Sequence, residues 1–208
     1  MAFTDKYPLL LLHINLDGTP FPVWRRLIVR TGTSMRELHH MIQAIMPWAT
    51  SHLYEFTFVK KSSPEEIRIA DSELWQEDLP VENDDRLFYV EDVFKAIGDH
   101  AIYTYDIGDY WVHKISLVGI HHDPFLYPVV PCIVGGEGQC PPEDCGGIHG
   151  YRDLLEIISN KHHPEYSSML EWLSGMRWKK GKMKIEKLQG LLNNYKTPMW
   201  QQYMNEDL

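Results

Sequence analysis

Three cysteines, six glycines and three prolines crowd into Pro131–Tyr151, PCIVGGEGQCPPEDCGGIHGY, and the chain has no other cysteine. Glycine and proline at this density disfavour helix and regular strand alike, because one is too permissive and the other removes a donor. The stretch is therefore expected to be an irregular, glycine-hinged loop. It divides the chain, read as a single domain over 1–208, into a sheet-rich part (1–120) and a part with the loop and C-terminal helices (121–208).

Upstream, the patterning is that of strands and one helix. Tyr7–Leu16 is apolar on both sides, and Asp17-Gly18-Thr19-Pro20 turns the chain into a second strand at Trp24–Arg30. Ser34 with Glu37 three residues later is a capping box for a helix over Met35–Met46, whose stripe is Met35, Leu38, Met41/Ile42 and Ile45. His52–Val59 alternates as a strand with His52, Tyr54, Phe56 and Phe58 on one side. Ile67–Ala70 is its candidate hairpin partner, and Val90–Ile97 a short amphipathic piece. Ala101–Tyr105 and Tyr110–Ile120 form a hairpin across Asp106-Ile107-Gly108-Asp109. Downstream, helices are expected over Tyr151–Ser159, Pro164–Leu173 and Ile185–Tyr195. Strands first and helices last make the class α+β, with a mostly antiparallel, β-grasp-like sheet, one N-terminal helix and about three C-terminal helices.

These motifs together resemble the plasmid pRiA4b ORF-3-like family over about Tyr7 to Tyr195. The resemblance is carried by Pro22-Val23-Trp24-Arg25-Arg26, by Leu38-His39, Ile42-Gln43 and Trp48, and by Ser51-His52-Leu53-Tyr54-Glu55-Phe56. It continues through Tyr105-Asp106-Ile107-Gly108-Asp109-Tyr110-Trp111-Val112-His113 and Gly136 to Gly147, ending with Gly150-Tyr151. Pro47 stands where the family usually has glycine, and Ile107 where it favours phenylalanine. The resemblance implies kinship with proteins carried on plasmids or as passengers of mobile elements, and brings no established activity.

The net charge of −9 is local. Residues 65–92 hold eleven acids against Arg68 and Arg86, which accounts for all of it, so a nucleic-acid face elsewhere is compatible with the acidic total. Near the C-terminus Arg177, Lys179, Lys180, Lys182, Lys184 and Lys187 face only Glu186, with Trp178 among them. Such a run is usually solvated surface, and otherwise a phosphate-tracking strip with a stacking platform. No apolar run approaches a membrane span, and few cysteines with no signal segment read as a reduced, cytoplasmic chain.

Four constellations bear chemistry. Cys132, Cys140 and Cys145, with His149 or His113 as a fourth donor, suit zinc, although small buried thiols in a turn explain them equally well. Asp106, Asp109, Glu143 and Asp144 are hard donors for Mg²⁺ or Mn²⁺, and with His113 or His52 as base they would make a metal-dependent hydrolase. Turn chemistry is the simpler account of those carboxylates. Trp24, Arg25, Arg26, His52 and Trp111 are candidate binding residues. The arginines either clamp an anion or tie the acidic stretch. No Walker loop, dinucleotide fingerprint or nucleophile elbow is present. The expected function is a non-catalytic binding or adaptor protein recognising protein or nucleic acid. The alternatives are the hydrolase or nuclease just described, or a domain with a structural zinc knuckle and its function elsewhere.

Overall fold

The computed structural model describes residues 8–59, 65–75, 83–123, 125–176, 178 and 183–197. The elements run β1 (Leu9–Leu16), β2 (Trp24–Arg30), α1 (Met35–Ile45), β3 (Tyr54–Val59), β4 (Glu66–Ala70), β5 (Asn83–Asp84) and α2 (Val90–Val93). Then follow β6 (His100–Tyr105), β7 (Trp111–His121), β8 (Cys132–Glu137), α3 (Gly147–Ser159), α4 (Tyr166–Gly175) and α5 (Ile185–Asn193). They build one eight-stranded sheet in the order β5-β4-β3-β6-β7-β1-β2-β8. Every ladder is antiparallel except the two-residue pairing of β4 with β5. The chain is α+β.

Alternation sends one face of the sheet inward. Leu12, Ile14, Leu27, Phe56, Tyr103, Tyr105, Trp111, His113 and Ile115 are buried there against Leu38, Ile42 and Ile45 of α1. Each aliphatic side chain so buried contributes about 1.5–3 kcal/mol. Helix α1 forms where its signals place it: Ser34 Oγ accepts from Glu37 N at 3.1 Å, and Glu37 Oε2 accepts from Ser34 N at 3.2 Å. Helix α5 packs on α1 and β8, and α3 packs on α4. No described helix is long and apolar enough to cross a membrane.

The cysteine segment departs from expectation. Its first third is a strand, β8, on the sheet edge, bulged at Val134, and its last residues open α3. The glycines here serve close packing more than disorder. A Cβ on Gly136 would lie 2.9 Å from the Trp24 carbonyl oxygen and 2.9 Å from Met183 Cε. The free edge of β8 is capped by one side chain: Gln189 Oε1 accepts from Ile133 N at 2.9 Å, and Gln189 Nε2 donates to Pro131 O at 3.3 Å. Other boundaries shift: the helix expected over Pro164–Leu173 runs Tyr166–Gly175, and α5 ends at Asn193. The third strand begins at Tyr54, which leaves His52 in a loop, and the piece at Val90 is helical for only four residues.

Candidate functional site

Three loops meet at one end of the sheet. The loop after α1 carries His52, the β6–β7 turn carries Asp106, and the β8–α3 connection carries Asp144. His52 Nε2 stands 3.1 Å from Asp144 Oδ1 and 3.6 Å from Asp106 Oδ2. No hydrogen bond of acceptable geometry reaches this ring nitrogen, although it is buried. Each residue offers one ligand atom, and all three atoms lie within 4.8 Å of one another, so the group could hold a metal ion.

Backbone conformation aims these donors. Asp106 and Asp144 have φ of 57° and 56°, and Thr50, two residues before His52, has 63°. Left-handed backbone costs a non-glycine residue about 1–2 kcal/mol, least for Asp, whose short side chain bonds locally. Asp106 Oδ1 accepts from the amides of Gly108 (3.0 Å) and Asp109 (3.2 Å), which leaves Oδ2 to face His52. Asp109 Oδ2 accepts from Gly146 N at 3.1 Å and so ties the β6–β7 turn to the loop carrying Asp144. Gly147 is required at this junction, because at its φ of 65° a Cβ would lie 2.3 Å from the Asp109 carbonyl oxygen.

Glu143 secures the third loop from beneath. Its Oε2 accepts from Ala49 N and its Oε1 from Tyr105 Oη, both at 2.5 Å. Burial raises its pKa, and these two hydrogen bonds oppose the rise without cancelling it. Tyr105 Oη also accepts from Ser51 N at 3.1 Å, its ring meets His52 edge-on at 5.8 Å, and Trp48 Nε1 donates to Pro141 O at 3.0 Å. The His52 loop is thereby held at four points on the two segments that supply the carboxylates.

The remaining expected site residues lie elsewhere. His113 is sealed in the core beneath Trp48, 5.4 Å between ring centroids, and donates from Nδ1 to the Tyr103 and Trp111 carbonyls. Burial drives its pKa down to about 4, so it is a neutral core residue and faces no carboxylate of the site. Trp111 is buried beside it. Arg25, read as an anion clamp or a tie to the acidic stretch, does neither. Its guanidinium is buried and donates to the carbonyls of Trp24, Ile45, Glu137 and Gly138 at 2.7–3.1 Å.

The cysteines do not assemble either. Cys140 is buried with its Sγ 3.8 Å from Met46 Sδ, and Cys145 Sγ lies 3.9 Å from Gly147 O. Cys132 is half-buried on the sheet edge and His149 is exposed. Among the described residues, no group of three potential ligands includes a cysteine. Burial raises all three thiols, Cys145 to about 12, so they are protonated at neutral pH. Of the basic run only Trp178, Lys184 and Lys187 are described; Arg177, Lys179, Lys180 and Lys182 lie outside the described residues. Tyr105 and Gln43, which accepts from Thr50 N at 3.2 Å, were missed as supports. Their signals were polar groups at core positions on a strand and a helix, and their place in the motifs that carry the family resemblance.

Comparison with known proteins agrees with this architecture. A solved structure, the protein of unknown function MM3350 from Methanosarcina mazei Go1, superposes with a TM-score of 0.74 at 28% identity, covering 86% of this chain and 97% of that one. The uncharacterized protein y4hQ of Sinorhizobium fredii is 31% identical over 162 residues, which are 77% of this chain and 78% of that protein. The family model for plasmid pRiA4b ORF-3-like protein matches residues 9–187, through every strand and the three loops of the corner, and the chain belongs to that family.

Proposed function

We propose that this is a binding protein whose His52–Asp106–Asp144 corner takes one divalent transition-metal ion and presents it to an oxygen ligand of a partner. The observation that carries this is His52 Nε2, which is buried, lacks a well-formed hydrogen bond, and lies between two carboxylate oxygens. One imidazole and two carboxylates suit Zn²⁺ or Mn²⁺, and three protein donors leave a coordination position for an incoming ligand. Asp144 is exposed, so that position is approached from solvent.

Hydrolysis is the second reading, and two of its expected residues, Asp106 and Asp144, do converge. Of its two candidate bases, however, His113 is sealed in the core and His52 is taken up as an ion ligand in the corner, and both oxygens of Glu143 are engaged. Binding without turnover is therefore favoured.

Calorimetric titration with Zn²⁺ and Mn²⁺ tests the proposal. One ion per chain is expected, weakened ~10-fold or more by His52→Ala or Asp144→Asn, since even outer-shell changes at metal sites cost that much. Absence of saturable binding, or affinity unmoved by both variants, would refute it. Phosphodiesterase turnover with Mn²⁺ that Asp144→Asn abolishes would replace binding with catalysis.

A further inference from the structure

The face of the sheet turned away from α1 bears a different chemistry. Strand register aligns two rows of side chains across it: Lys114, Asn15, Trp24 and Glu137 in one, and Ser116, His13, Arg26 and Gly135 in the next. Arg26 and Lys114 are exposed and Trp24 is half-buried. Trp24 Nε1 donates to Glu137 Oε2 at 3.0 Å, which fixes the indole and occupies the one carboxylate in these rows. The Arg26 guanidinium lies 5.4 Å over the indole, and the His13 ring sits 5.2 Å from it, with a buried Nδ1 that has no hydrogen bond. Further along β2, exposed Arg30 pairs across to Leu9, beside His121 and the Tyr127 ring 5.8 Å from it.

Among the described residues, Arg26, Arg30 and Lys114 pair with no carboxylate. The acids that make the chain negative are concentrated in residues 65–92, whose described strands β4 and β5 lie at the opposite edge of the sheet from β8. The nearest carboxylates, Glu137 and Asp17, are hydrogen-bonded to Trp24 and Asn15 and form no ion pair with these cations. Arg26 and Arg30 lie roughly 13 Å apart along β2, with Ile28, which is fully buried, between them on the same face.

We infer that this half-face, over β1, β2, β7 and β8, binds single-stranded nucleic acid. Phosphates take the unpaired cations, and a base stacks on Trp24. A fixed aromatic ring flanked by cations is the arrangement that single strands use, because their bases expose π faces that a duplex hides. A purely electrostatic polyanion surface would have no use for the held indole.

Fluorescence anisotropy of the full chain with fluorescein-labelled oligothymidylate and oligouridylate tests this. Saturable binding is expected, with log affinity falling against log salt at a slope of about −2 for three phosphate contacts. Arg26→Glu with Lys114→Glu, both exposed positions, should weaken it at least ~10-fold. Trp24→Ala should cost about ten-fold, largely restored in Trp24→Phe. Asp144→Asn, which disables only the metal corner, should leave binding unchanged, so the two proposals fail separately. Absence of binding, tighter binding of a duplex, or equal competition by heparin with Trp24→Ala silent would each overturn the inference.

Discussion

Proline 47 occupies the position after the C-cap of α1. Trp48 N donates to Gln43 O at 3.1 Å, the six-to-one bond of a Schellman ending. That ending asks the intervening residue for positive φ and a free N–H. Pro47 has φ of 27°, far from the −65° its ring prefers, and no N–H to give. Pro47→Gly is therefore expected to stabilise the fold by about 1 kcal/mol or more, read as a higher urea midpoint at unchanged m-value. An unchanged or lower midpoint would refute the strain argument. At this scale sequence was a partial guide. Ser34 and Glu37 announced the start of α1 by type and spacing alone. The roles of Arg25 and His113 depended on burial that spacing does not carry. An arginine beside a tryptophan looks like a ligand clamp until its neighbours prove to be four carbonyls.

Among the elements, strands with strict alternation were legible, and the segment dense in glycine was not. Composition argued against regular structure in Pro131–Tyr151, yet β8 pairs with β2 because glycine is what fits beside Trp24. Helix α3 likewise begins on a glycine pressed against the Asp109 carbonyl. Glycine count could not distinguish a hinge from a tight joint. The joint has a mechanical role, since it sets the position of Asp144. Gly147→Ala should therefore push the β8–α3 connection off the β6–β7 turn, destabilising the protein by about 1–3 kcal/mol. It should also weaken ion binding at the corner although no ligand has changed. Retention of full metal affinity in this variant would show that the junction does not position Asp144.

Over the whole molecule, acid should unfold the protein through its buried imidazoles. His113 and His39 are fully buried and held neutral, with folded pKa values below the 6.5 of the free side chain, His113 at about 4. As pH falls, the unfolded chain takes up these protons first. The stabilisation is complete above pH 6.5 and is lost progressively towards pH 4. His113 contributes about 1.4 kcal/mol per pH unit within that window, and His39 acts in the same direction. Asp85 and Glu143, raised by burial, offset part of the loss because the folded state protonates them early. Urea midpoints measured between pH 7 and 4 should fall, and His113→Phe should flatten the slope; an identical slope in that variant would exclude His113 as a source. The overall architecture was readable as an order of elements. The sequence named His52, Asp106 and Asp144 within one larger constellation, but not which of its members meet, because that depends on which loop ends the sheet brings together. The same sheet order leaves β8 at an open edge, where an exposed row of backbone groups would otherwise invite another copy to add a strand. The Gln189 carboxamide supplies one acceptor and one donor to that edge, as a neighbouring peptide would. A single side chain from α5 thus occupies the start of this edge, where an added strand would have to pair.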